Sequence, residues 1–329
     1  MLGDKVMDKF KEMKNWRLSG PVFTLVSLML LMVISGLLSP SFFTFENMIT
    51  ILRQASILFI LSLGLTLVVL TGNIDFSVGA LSALCGCICA KIMVAGLPAG
   101  LGLAVSLAVG IVFGLINGCL VGWLGLPSFV ATYGMSMVAS GLATMVMDGG
   151  VIYGLPESFI SLGVGRIGFL PVPVLLALVL FISLWWVTKK MVFGRELYFM
   201  GLNKETARYS GINTIKTLII AYTICGFFGA AGGILMTARL NAADAGMTEA
   251  YGLKIVAAVV VGGTSLLGGE GGVAGTVLGA LTLTVITNIM NIMGVQTEWQ
   301  NLVDGAIILL MTGFDLAMRR RLSHIQVKP

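Results

Sequence analysis

Apolar stretches close to twenty residues long alternate with short polar or glycine-rich turns over nearly the whole chain. As a helix, a run of that length crosses the roughly 30 Å of hydrocarbon in a bilayer. The pattern predicts ten spans: 21–39, 51–70, 78–94, 101–123, 127–147, 171–188, 217–237, one beginning near Tyr251, 273–293 and 300–314. Three interruptions stand out against this background. Residues 71–79 read T-G-N-I-D-F-S-V-G, residues 262–272 read G-G-T-S-L-L-G-G-E-G-G, and residues 194–213 form the longest polar interruption in the chain.

Each interruption predicts something physical. Backbone released from helical bonding inside a membrane must be buried in protein or line a cavity. The first two breaks therefore supply candidates for a transport path: Asn73, Asp75, Phe76 and Ser77 in one, Thr264 and Ser265 in the other. Asp75 is the leading ionisable residue among them, because a charge at the centre of a spanning helix costs roughly 2.5–3.5 kcal/mol. Two readings of it stay open. Its carboxylate could cap the half-helix that follows, or it could face the path directly. Residues 203–211 are small, polar and compatible with a short helix, and Gly211 stands where such a helix would stop. A surface helix of this kind presents a ridge to a soluble partner, the alternative being a long solvated connector.

Glycines recur every four residues at Gly110, Gly114, Gly118 and Gly122, and again at Gly271, Gly275 and Gly279. A bare stripe of that kind lets another helix approach closely, in the same chain or in a second one. Each half of the sequence contains an apolar run, a glycine-rich polar break and a span with such a stripe. The fold class that follows is all-α: a polytopic membrane protein of about ten transmembrane helices in two weakly similar halves, with residues 1–329 forming one transmembrane domain.

Composition agrees with this picture and excludes other classes. Of 329 residues, 57% are hydrophobic and 11% charged, against about 25% charged in a soluble domain. The net charge is +5, and the basic residues gather in the first twenty residues, around 189–216, and in the tail at 318–329. Short loops rich in Lys and Arg stay on the cytoplasmic side, which places both termini and the 194–213 segment together. An even number of spans meets that requirement. Nucleic acid is not an expected partner, because no basic face with stacking aromatics is present.

No catalytic constellation is visible, so the chain is not expected to be an enzyme. His324 is the sole histidine and lies in the tail, and no G-x-x-x-x-G-K-[ST] loop occurs. Leu267-Gly268-Gly269-Glu270 has the letters of an ATPase signature loop without its phosphate loop. Cys85, Cys87, Cys89, Cys119 and Cys225 lie in apolar runs and suit packing, with no metal set among them. Lys254 and Asp304 fall near span ends, where long side chains can reach water. Deep carboxylates are too few for a proton relay.

The letters of the three interruptions are similar to those of one family. Residues 71–79 resemble the T-x-G-I-D-L-S-V-G element of permease subunits from ribose-type ABC importers. Gly194-Arg195, Gly201-x-Asn203 and Arg208-x-Ser210-Gly211-Ile212-Asn213 resemble that family's cytoplasmic loop, and Ala257 to Leu266 with Gly268-Gly269 resemble its third element. The resemblance covers nearly the whole chain. It implies a ten-span permease of the bacterial cytoplasmic membrane that pairs with a second copy or a paralogue. It also implies an extracytoplasmic sugar-binding protein outside and an ATPase inside, typically with two fused cassettes, which holds the ATP and Mg; no cofactor is implied on this chain. By that resemblance Asn203, Glu205, Ala207, Arg208, Ser210 and Gly211 couple the spans to the ATPase, and the solute is a pentose, a hexose or a related small polar molecule. Asn73 stands where the family usually has Gly, which Asn tolerates by accepting a left-handed backbone. Phe76 replaces Leu, Gly252 and Lys254 occupy positions that are commonly acidic, and Glu270 and Gly272 positions that are often basic. The rival class is a secondary carrier or facilitator.

Overall fold

The computed structural model describes residues 20–248 and 251–326. The expected N-terminal segment lies outside these residues except for Gly20, and the last three residues of the tail also lie outside them. The described chain is almost entirely helical. In order it contains α1 (Gly20–Leu38), α2 (Phe45–Leu70), α3 (Val78–Val94), α4 (Ala99–Gly122), α5 (Ser128–Met147), α6 (Glu157–Val164), α7 (Val172–Lys190), α8 (Val192–Leu202), α9 (Lys204–Tyr209), α10 (Thr214–Leu240), α11 (Tyr251–Val261), α12 (Val273–Ile292) and α13 (Thr297–Gln326). Two-residue strands β1 (Ile152–Tyr153), β2 (Arg166–Ile167), β3 (Leu170–Pro171) and β4 (Ala242–Ala243) pair as an antiparallel β1–β4 ladder and a β2–β3 hairpin.

A helix stands at each of the ten expected spans. Among the described residues, α2, α4, α5, α7, α10 and α12 are long and apolar enough to cross a membrane unaided; Val22–Leu38, α3 and α11 are apolar but shorter. At 1.5 Å per residue, α11 reaches only about 17 Å, roughly half the hydrocarbon thickness. The tenth helix is longer than expected. The backbone stays helical from Thr297 to Gln326, so the region from 318 continues a helix where a separate tail was expected. The 148–170 segment before α7 also gains structure, since α6 packs Gly163 against the backbone of Ala238 and Arg239.

The core is built around α2, whose residues from Ala55 to Leu70 are all buried. A helix that is apolar on every side cannot face water or a polar partner, and here it is sheathed by its neighbours. α10 runs antiparallel to it, with Gly64 against Cys225 and Phe228 and Gly232 against Leu61. α4 lies antiparallel on the other side of α10, and Gly110, Gly114 and Gly118 meet Gly226, Tyr222 and Ile219 in register. That stripe therefore packs two helices of one chain. Gly275 and Gly279 do the same for α12 against Gly262, just past the end of α11, and Ala258 on it. Gly271 is a correction. It precedes α12, with a φ of +107°, and it packs inside its own loop against Thr264.

α2–α3–α4 and α10–α11–α12 share one plan: a long helix, a break, a short helix and a full-length helix returning antiparallel. Because α2 and α10 point in opposite directions, the two halves are inverted. The starts of both short helices meet inside the bundle, where Gly79 touches Gly252 and Thr248 Oγ1 donates to the Gly79 carbonyl oxygen at 2.7 Å. Val78 lies beside Gly229, eleven residues or about 17 Å from the end of α10.

Candidate functional site

The break after α2 begins with a tight turn. Thr71 and Gly72 return their amides to Val68 and Val69, and Gly72 takes a φ of +76°. The left-handed residue is thus Gly72. Asn73 keeps a negative φ, contrary to the expectation from its letter, and uses its side-chain amide to donate to Thr71 Oγ1 at 3.0 Å. Beyond it the backbone runs extended into the bundle, and its polar groups must find partners there.

Side chains from two other helices supply them. Tyr222 on α10 donates to the Ile74 carbonyl at 3.0 Å, Ser128 on α5 accepts from the Ile74 amide at 3.4 Å, and Thr132 on α5 accepts from the Phe76 amide at 3.1 Å. Asp75 accepts from the backbone amide of Ser77 at 2.8 Å and from its hydroxyl at 2.6 Å, while Asn117 on α4 donates to Ser77 Oγ at 2.8 Å. Cys225 on α10 faces the same carboxylate. Asp75 and Ser77 are buried, and so are Asn117, Thr132 and Tyr222. The carboxylate therefore closes the start of α3 from within the subunit. Asn73 and Phe76 are only part-buried, and Phe76 packs edge-on against the exposed ring of Phe129, which stacks on Tyr133.

The second break folds on itself. Thr264 Oγ1 accepts from the Gly272 amide at 3.1 Å, and the Ser265 amide donates to the Glu270 carbonyl at 3.2 Å. Thr264 and Ser265 are both buried. This loop lies against the end of α2, where the Gly269 amide donates to the Leu70 carbonyl at 2.9 Å.

The polar 194–213 segment becomes two helices: α8, which buries Leu197 and Met200 in the core, and α9, which lies at its surface. Asn203 caps α9 by accepting from the Thr206 amide at 2.9 Å, as an N-cap asparagine should. Gly211 ends it with a φ of +85°, its amide returning to Arg208 and that of Ile212 to Ala207. Ala207 is buried against the body, whereas Glu205, Arg208 and Ser210 are exposed together with Lys204 and Tyr209. A groove lined by Lys204, Glu205, Arg208, Ile212 and Asn213 runs beside α9 to the end of α4 at Gly122.

Lys254 and Asp304 do not extend to water. Lys254 Nζ lies 3.2 Å from Asp304 and 2.9 Å from Thr287 Oγ1, and both side chains are largely buried. Pairing relieves much of the cost of holding either charge in the bundle. Arg239, just beyond the expected 217–237 span, is in the last turn of α10. Among the described residues no three His, Cys, Asp or Glu side chains converge as a metal set.

Asn117, Thr132 and Tyr222 were not singled out from sequence. Asn117 carried a signal, being an amide in the otherwise apolar 101–123 run. Thr132 and Tyr222 carried none, because hydroxyl-bearing residues are ordinary in spans and their partner is distant in the chain.

The family described as "Branched-chain amino acid transport system / permease component" matches residues 47–312. The chain belongs to this permease family. Among relatives, the permease is 38% identical to the ribose import permease protein RbsC of Escherichia coli K12 over 291 residues, covering 87% of this chain and 91% of the relative. It is 35% identical over 302 residues to the D-allose transport system permease protein AlsC of the same strain, covering 91% of this chain and 92% of the relative. To the autoinducer 2 import system permease protein LsrC of E. coli O157:H7 it is 32% identical over 304 residues, covering 91% and 87%. The chain is a multi-pass membrane transport permease.

Proposed function

We propose that this permease is the membrane-spanning subunit of an ATP-driven ABC importer for a monosaccharide or a related small polar solute. One observation carries the ATP-driven part: α9 is a capped helix outside the bundle that buries Ala207 and offers Lys204, Glu205, Arg208 and Tyr209 to solvent. A charged, rigid, shallow ridge suits docking into a cleft of a soluble ATPase, which would hold the ATP and Mg. The imported solutes named for the relatives, ribose, allose and autoinducer 2, support the substrate class.

The basic residues Lys189, Lys190, Arg195, Lys204, Arg208 and Lys216 surround this ridge, so its face is cytoplasmic by the short-loop charge bias. Both termini lie on that side. An extracytoplasmic sugar-binding protein then meets the opposite face, which carries the 39–44, 95–98 and 148–171 turns, and a second permease copy or paralogue completes the path. Of the break residues, Asn73 and Phe76 are those with surface to offer a solute, while Asp75 and Ser77 hold the break in shape.

Replacing Arg208 by Glu tests the docking role. The R208E permease should reach the membrane at wild-type level and retain tenfold less ATPase on purification of the complex. Undiminished ATPase retention, or solute uptake that persists in cells without any cassette ATPase, would overturn it.

A further inference from the structure

The ridge on α9 is only the outer side of the coupling segment. Its inner side is α8, where Gly201 meets its neighbours backbone to backbone. Gly201 sits where three stretches far apart in sequence converge: the Leu70–Gly72 corner that closes α2, Gly268 and Gly269 of the loop after α11, and α8 itself. A Cβ on Gly201 would overlap the Leu70 carbonyl oxygen and the Gly269 amide nitrogen; one on Gly268 would lie 2.5 Å from the Gly72 nitrogen and 2.8 Å from the Gly201 Cα. Gly72 and Gly268 hold φ values of +76° and +83°, conformations that side chains rarely adopt. Two hydrogen bonds fasten the same point. The Gly269 amide donates to the Leu70 carbonyl at 2.9 Å, and Tyr198, one turn before Gly201 on α8, donates its hydroxyl to the Gly271 carbonyl at 2.9 Å. Burial raises the Tyr198 phenol above its ordinary value, so it stays a donor through the physiological range.

The junction has a second property. Gly72 belongs to the break of the first half, and Gly268 to the loop that ends the short helix of the second. α8 thus touches both inverted halves at once, and at Gly201 it does so backbone against backbone, with no side chain between them.

We propose that the Gly72–Gly201–Gly268 junction, fastened by Tyr198, is where displacement of the coupling segment is passed into both halves of the permease together, with Tyr198 and Gly201 as its positioning residues. This rests on the docking role of α9 given above. Docking at α9 delivers the push, α8 carries it, and the two breaks receive it.

The test uses the permease assembled with its ATPase subunit and compares amide hydrogen exchange in the nucleotide-free and ATP–vanadate-trapped states. In the wild-type complex, residues 70–77, 192–211 and 263–272 should change protection together. In the Y198F complex, which loses one hydrogen bond and no packing, residues 192–211 should still respond, while the change in 70–77 and 263–272 falls to less than half. G201A should act in the same direction and more strongly; if it does not assemble, Y198F alone decides. A wild-type response confined to 192–211, or a Y198F complex in which all three regions respond as in wild type, would overturn the junction. A different failure, no response of 192–211 in the wild-type complex, would remove the docking role itself and the junction with it.

Discussion

At the scale of the residue, Asp75 shows what burial decides. An acid in an apolar stretch is readable from sequence as costly, but its letter does not say whether a solute or the backbone rewards it. The answer lies in Ser77, two residues on, whose amide and hydroxyl both donate to the carboxylate, and in Asn117, which steadies that hydroxyl from α4. Hydrogen bonds to a charged group contribute about 1.5–3 kcal/mol each. Asp75→Ala should therefore lower the thermal unfolding temperature of the purified permease, while Asp75→Asn, which keeps an acceptor oxygen, should lower it less. Unchanged melting of both variants alongside lost solute uptake would instead place Asp75 on the path. Lys254 and Asp304 teach the same lesson. Each looked like a residue near a span end, and their pairing became visible only once α11 and α13 lay side by side.

At the scale of the element, periodicity was legible and partnership was not. The four-residue glycine spacing on α4 marks one face of a helix in any context, yet nothing in those letters names α10 as the helix that presses against it. Gly271 shows the limit of the same signal. Its spacing from Gly275 fits the series, but the helix begins at Val273, and the residue serves a loop. The short length of α11 was also hidden, because the apolar letters run smoothly into the glycine loop without announcing a half-span. The stripe gives a clear pair of substitutions. Gly114→Leu would drive a side chain into the backbone of Tyr222 and Thr223, whereas Gly134 on α5 has nothing within 4 Å. By size-exclusion chromatography in detergent, G114L should lose most of the monodisperse peak and G134L should retain it. Equal peaks would mean that close approach of α4 and α10 is dispensable.

At the scale of the whole molecule, the ten-helix plan, the three interruptions and the surface position of α9 could all be read from the chain. What could not be read is their convergence. The 71–77 break, the 262–272 loop and α8 are separated by more than a hundred residues from first to last, and only the inverted packing of α2 on α10 brings them to one corner. That corner matters because it joins α8, which leads into the exposed α9, with the two breaks inside the bundle.

The proposed docking role requires the α9 ridge to face the cytoplasm and the turn between α3 and α4 to face outward. The direct measurement is labelling of single introduced thiols with a membrane-impermeant maleimide, using Tyr209, which is 86% exposed, and Leu97, which is 48% exposed. Tyr209→Cys should react only after the membrane is opened, and Leu97→Cys should react in intact cells. Labelling of Tyr209→Cys from outside intact cells, with Leu97→Cys protected, would contradict the coupling of this permease to a cytoplasmic ATPase.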